Sequence, residues 1–237
     1  MEEMVDVPGT GCSRMFRGQS RVVVPNLPHH VTQRGNRRQK TFFEDGDYQL
    51  YLELLAAGCA RARTELWAYC LMPNHVHLLV VPTKADGLRG AIADAHRRYT
   101  RAINFRKGWR GHLWQERFAS FPLDERHLLA AARYIELNPV RARLVKKPEQ
   151  YRWSSAKAHL RGTASATMNT GALLELVSDW RDFLSAGLER DMAERLRLHE
   201  RTGRPLGDES FVKRLERRLK RALRPQKRGP KPKGAEA

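Results

Sequence analysis

The chain has 237 residues, a net charge of +18 at pH 7 and a hydrophobic fraction of 41%. That length suits one domain of moderate size with an appendage, or two small domains, and so large a positive excess selects a polyanionic partner, nucleic acid above all. Three scattered cysteines without a Cys-x-x-Cys pair exclude a disulfide framework and a zinc knuckle, and no apolar run approaches the ~20 residues that span a bilayer, so a soluble protein of a reducing cytoplasm is expected.

Residues 1–18 lack periodicity and read as disordered, with Met15 an alternative start. His30-Val31-Thr32-Gln33 reads as a first strand, followed by a turn at Gly35-Asn36 that carries Arg34, Arg37, Arg38 and Lys40. Such a cation cluster at a strand end is either a solvated loop or a phosphate contact. Asp45 or Asp47 caps a helix that runs to about Arg63, with Tyr48, Tyr51, Leu52, Leu55 and Cys59 at helical spacing. Thr64–Leu71 and His75–Val81 read as two strands of an antiparallel hairpin closed by Met72-Pro73-Asn74, with Pro82 ending the second. A second helix starts at Asp86 and stops near Lys107-Gly108; Trp114–Phe121 alternates as a fourth strand; and Asp124 caps a helix that ends close to Asn138, ahead of Pro139. The order β-α-β-β-α-β plus a helix is that of a ferredoxin-like α+β domain, an antiparallel sheet with helices on one face, to which the last helix is appended. The domain is expected to span 19–162 and to close with Tyr151-Arg152-Trp153-Ser154-Ser155.

Residues 163–170 are small and polar, a linker to a helical extension over 163–224. Leu173 to Leu184 forms one amphipathic helix there, Met192 to His199 a second, and Phe211 to Leu223 a third, with Gly203-Arg204-Pro205-Leu206-Gly207 as a break. The basic, Pro- and Gly-punctuated tail at 225–237 reads as disordered when free. From 211 onward there are 11 Lys and Arg against 2 acidic residues, half of the net charge of the whole chain, which marks an interaction tail.

Two pairs of residues stand out for chemistry. In a strand, His75 and His77 point to one face while Val76 points to the other. The pair either grips a divalent metal or hydrogen-bonds within a core strand. On the third helix, Tyr134 and Asn138 lie four residues apart on one face. Tyr134 is either a core aromatic or a nucleophile toward phosphorus. Asn138 is either a helix cap or an oxygen ligand. Glu136 points away from both and is the less attractive ligand.

The segment Pro73-Asn74-His75-Val76-His77-Leu78-Leu79 resembles the His-hydrophobe-His motif of the HUH single-tyrosine transposases. Pro28-His29-His30-Val31-Thr32-Gln33-Arg34-Gly35-Asn36 resembles the first strand of that family, and Arg133-Tyr134-Ile135-Glu136-Leu137-Asn138-Pro139-Val140-Arg141-Ala142 the tyrosine helix of its REP-associated branch. Tyr151–Ser155 and Gly203–Gly207 are similar to the same branch. The resemblance covers roughly 19–230 and implies a metal-dependent endonuclease and strand transferase acting on single-stranded or hairpin DNA. It implies His75, His77 and Asn138 as ligands of Mg²⁺ or Mn²⁺, and Tyr134 as the nucleophile of a 5′-phosphotyrosine intermediate. Arg34, Arg37, Arg38, Arg117, Arg141 and Arg143 are the expected DNA contacts. A monomer with its tyrosine in cis, in the bacterial cytoplasm beside the nucleoid, completes the expectation. A non-catalytic nucleic-acid-binding regulator on the same fold, or a metal hydrolase using water, are the competing classes.

Overall fold

The computed structural model describes residues 21–163, 165 and 167–225. The expected disordered N-terminal segment, its alternative start and the tail from residue 226 lie outside the described residues. Four strands make one sheet: β1 (His29–Arg34), β2 (Thr64–Met72), β3 (His75–Pro82) and β4 (Ala119–Pro122). Their order is β2-β3-β1-β4, and all pairs are antiparallel, the arrangement that the β-α-β-β-α-β order predicts.

One face of the sheet is covered by α1 (Asp45–Ala62) and α2 (Asp94–Lys107), the other by α3 (Glu125–Glu136) and, from the extension, α8 (Arg190–Thr202). Strand alternation decides which side chain goes where. Val31, Val76, Leu78 and Val80 enter the core under α1 and α2. Leu79, Phe121, Cys70 and Met72 enter the core under α3. A bulge between Leu66 and Ala68 switches the alternation within β2, so Leu66 serves the first core and Ala68 the second.

Local chemistry places the helix ends. Asp47 accepts hydrogen bonds from the amides of Phe43 (2.8 Å) and Glu44 (3.3 Å) at the start of α1, and Asp124 caps α3 by accepting from His127 N at 2.9 Å. The helix predicted from Asp86 begins instead as a π-turn, Arg89–Ala93, before α2 proper. It runs so close to α1 that a Cβ on Gly58 would stand 2.5 Å from the Ala91 carbonyl oxygen. α3 stops at Glu136, and the chain resumes as a single turn, α4 (Asn138–Arg141), with Pro139 in its first turn, where a missing N–H is harmless.

Three predicted elements differ. The strand expected over 114–121 is shortened to β4: Glu116 takes φ 55°, which breaks the extended run, and Trp114 makes a lone bridge to Gly35. The first helix of the extension divides into α6 (Gly171–Leu174) and α7 (Trp180–Ser185), because Asp179 captures the amides of Arg181 and Asp182 and starts a new helix. The last helix, α9 (Glu209–Leu219), ends at Lys220 in the left-handed conformation, and Glu216 accepts from Leu223 N (2.8 Å) beyond it. α5 (Ala156–Arg161) precedes the extension. The extension packs on the sheet domain throughout. Phe211 and Leu215 of α9 bury Val22 and Val24, and Leu206 pairs beside Leu123.

Candidate active site

β3 carries His75 and His77 on the α3 face, opposite Arg34 and Thr32 of β1, while Val76 is fully buried on the other side. The two imidazoles lie 5.0 Å apart between centroids. Each is oriented through Nδ1: that of His75 stands 2.6 Å from Asn74 Oδ1, and that of His77 3.1 Å from Nε2 of His30. His30 reaches the same face from β1. The 28–36 motif contains His30 without marking it as a ligand; its even spacing from Thr32 and Arg34 along β1 is the local signal for this face.

A second unassigned residue completes the cluster. Glu200, in the last turn of α8, places Oε1 3.7 Å from His77 Nδ1 and 3.9 Å from His30 Nε2. The candidate ligand atoms of His30, His77 and Glu200 all lie within 4.8 Å of one another, a spacing able to hold a metal ion. Glu200 Oε1 and His30 Nδ1 are buried without a hydrogen-bond partner, the condition in which a bound cation is most useful. No local pattern in the sequence singles out Glu200, one residue past the helix expected to end at His199.

Burial sets the protonation states. It holds His30 at about 3, and burial together with the charge of Arg34 holds His75 at about 3. His77 lies well below the usual histidine range, through burial first and then its neighbours His75 and His30. All three are therefore neutral at pH 7, the form that ligates metals. Glu200 is pushed up to about 7 by burial, against the pull of Arg34, Arg197 and Arg141.

α3 brings Tyr134 onto this cluster. Its ring centroid is 5.5 Å from that of His77 and 5.9 Å from that of His30. Burial and then Glu200 raise the phenol above its usual value, while Arg141 and Arg197 oppose the shift. The Arg141 guanidinium carbon lies 4.4 Å from the centre of the Tyr134 ring.

Residues 23–138, about half of the chain, match the family model of IS200-like transposases. This chain belongs to the IS200-like transposase family. Among solved structures, it is similar to a REP-associated tyrosine transposase bound to a REP hairpin, at 19% identity and a TM-score of 0.50, over 65% of this chain and 92% of that one. It is also similar to a candidate transposase from Deinococcus radiodurans R1, at 24% identity and a TM-score of 0.36, over 50% of this chain and 95% of that one. A search of curated proteins finds no match.

The other expected site residues of this IS200-like transposase lie at different distances from the cluster. Arg34, at the end of β1, stands opposite His75 across the β1–β3 ladder, and Arg141 lies over the Tyr134 ring. Arg37 and Arg38 sit exposed in a 3₁₀ turn beside the cluster. Arg117 is exposed and lies beside Arg21, and Arg143 is exposed in the turn after α4; no hydrogen bond or ion pair joins either to the cluster. Asn138 is buried to 9% exposure at the start of α4, and its side chain makes no hydrogen bond among the described residues.

Glu136 has a different task. Its fully buried carboxylate accepts from Ser155 Oγ (2.5 Å) and meets His159 Nδ1 (2.6 Å) through Oε1, and it accepts from Trp180 Nε1 (2.8 Å) through Oε2. One side chain thus ties the tyrosine helix to α5, α7 and the Trp153-Ser154-Ser155 segment. Among the described residues no helix is long and apolar enough to cross a membrane.

Proposed function

We propose that this transposase is a nickase and strand transferase of single-stranded DNA at hairpins, working through a covalent bond to Tyr134. The observation that carries the reading is the placement of a single tyrosine, from α3, against the histidine cluster of its own chain, 5.5 Å from His77. The family and the hairpin-bound neighbour support DNA as the substrate. The phenolic oxygen attacks phosphorus; the new P–O bond to Tyr134 forms as the bond to the 3′ oxygen breaks. The phenol loses its proton during attack, the departing oxygen gains one, and the strand leaves with a free 3′-hydroxyl. Because the phosphotyrosine keeps the phosphodiester bond energy, a second 3′-hydroxyl reverses the step without a nucleotide cofactor. A tyrosine already at the site of its own chain fits a monomer acting in cis.

His75 and His77 with Asn138 would hold a Mg²⁺ or Mn²⁺ ion. When bound, it supplies Lewis-acid polarisation of a phosphate oxygen. The neutral imidazoles fit this role, and the contacts at Nδ1 on both rings are of the kind that orient ligating histidines from behind. A second ligand set, His30, His77 and Glu200, is favoured by its convergent geometry. Calorimetry of Mn²⁺ binding separates the two: Asn138→Ala weakens binding if the first set is correct, Glu200→Ala if the second is.

The function is tested with a single-stranded hairpin substrate and Mn²⁺. Wild-type protein gives a covalent protein–DNA band on a denaturing gel, and Tyr134→Phe gives none while still binding the hairpin. A band that persists in Tyr134→Phe removes Tyr134 from the role. Hairpin binding by the wild type with no band at all leaves a non-catalytic regulator instead.

A further inference from the structure

The nickase reading leaves one exposed surface without a task. Phe105, in the last turn of α2, is 90% exposed, and Trp109, just beyond that helix, is 43% exposed. A single exposed apolar side chain is ordinary. Two large aromatics four residues apart in strongly basic surroundings are less so. Arg97, Arg98 and Arg101 are exposed on the preceding turns, and Arg106, Lys107 and Arg110 flank the aromatics. The Trp109 ring is held edge-on against Phe43, centroids 5.5 Å apart, with Lys107 Nζ 4.7 Å from the other ring.

This surface is connected to the candidate active site. Asn36 N donates to Leu113 O and Gly35 N to Asn74 O, both at 2.8 Å. Asn74 in turn donates from Nδ2 to Arg38 O at 3.0 Å while its Oδ1 meets His75. The turn at 36–40 therefore joins the residue behind His75 to the segment that follows Trp109. Within that turn Arg37 and Arg38 both take positive φ, 52° and 61°, a backbone state that side chains disfavour and that gathers at functional sites. A Cβ on Gly35 would stand 2.3 Å from Gln39 O, so the turn is closed tightly on itself.

We propose that the 36–40 turn and the end of α2 form a platform for unpaired bases of the DNA strand that leads to the site, with Phe105 and Trp109 stacking on bases and Arg37, Arg38 and Lys107 contacting phosphates. Stacking on aromatics serves single strands of any sequence, because every unpaired base offers a free face and a paired one does not. The proposal rests on the reading of DNA as the substrate.

Fluorescence anisotropy tests it with a DNA hairpin carrying a single-stranded extension and with the same hairpin cut blunt, alongside sedimentation of the free protein. Phe105→Ala and Trp109→Ala each weaken binding of the extended hairpin about tenfold and leave the blunt one within about twofold, and Trp109→Phe restores the loss. Wild-type protein that binds neither DNA overturns the substrate reading as well as the platform. Wild-type binding that both alanine variants retain, or lose equally on the two DNAs, overturns the platform alone. A wild-type dimer that Phe105→Ala dissociates without changing DNA binding assigns the aromatics to self-association and overturns it too.

Discussion

Val76 and Leu78 alternate with His75 and His77 in one strand, yet the two sides of that strand are built to different ends. On the α1 and α2 side the core is aromatic and aliphatic, and its tyrosine hydroxyls are paired: Tyr51 OH meets His96 Nε2 at 2.8 Å, and Tyr99 OH donates to Thr41 O at 2.7 Å, with the Trp114 indole N–H an isolated exception. On the α3 and α8 side three neutral histidines, a carboxyl group and a phenol converge, and two of their polar atoms have no hydrogen-bond partner. A buried polar group with a partner is part of the scaffold; a set that faces one another across unfilled hydrogen-bonding capacity is a site. The same period of two therefore builds a support and the candidate site from adjacent residues, and rigidity on one side holds the imidazoles on the other.

The largest change is expected where the active side is itself structural. Glu136→Ala leaves Ser155, His159 and Trp180 facing an empty position and destabilises the protein by about 3–5 kcal/mol, read from urea unfolding. A loss below about 1 kcal/mol would show that the tyrosine helix does not depend on this carboxylate.

Leu78→Ala, on the scaffold side, should cost about 2–5 kcal/mol through the cavity it opens. Adduct formation per folded molecule should survive. His77→Ala, one residue away, reverses that pattern: stability changes by about 1 kcal/mol or less, and the Mn²⁺-dependent adduct disappears. Similar stability losses in the two variants would erase the distinction between the faces.

Metal should act on one side only. At saturating Mn²⁺, about a hundredfold above Kd, linkage stabilises a protein that binds metal only when folded by about 2.7 kcal/mol. The unfolding midpoint of the wild type should rise accordingly and that of His77→Ala should not. A rise in both would place the ion elsewhere.

One further effect is shared by both faces. His96 of α2, like His30 and His75, is held at about 3 by burial, whereas an unfolded histidine titrates near ~6.5. Between about pH 6.5 and 3 the unfolded chain binds more protons than the folded one, so stability present above pH 6.5 is lost progressively on acidification. Thermal unfolding followed from pH 7.5 to 5 should move to lower temperature. A flat profile would mean that these histidines are not held neutral.

Much of the fold was readable in the residues. The tight Pro73-Asn74 connection announced the β2–β3 hairpin, and the Asp124 cap together with Pro139 bracketed the tyrosine helix to within two residues. The fourth strand was over-read because alternation at 114–121 says nothing about the positive φ at Glu116. The extension was harder still. An apolar repeat cannot reveal that Asp179 turns one expected helix into two. Of the cluster, His75, His77 and Tyr134 follow from spacing and resemblance, His30 is marked only by its even spacing along β1, and Glu200 has no local mark.

By itself the sequence determined what nearest neighbours decide: the order of strands and helices, the common facing of His75 and His77, and a charge suited to nucleic acid. Period and capping act over a few residues, so they are written locally. Only the tertiary structure decided that His30 stands behind His77, that a carboxylate from α8 joins them, that Glu136 belongs to the scaffold, and that the segment following α2 is hydrogen-bonded to the turn beside Asn74. Each of these is a contact between residues far apart in the chain, made by burial of apolar faces around them, and no local pattern specifies which distant side chain that burial will bring.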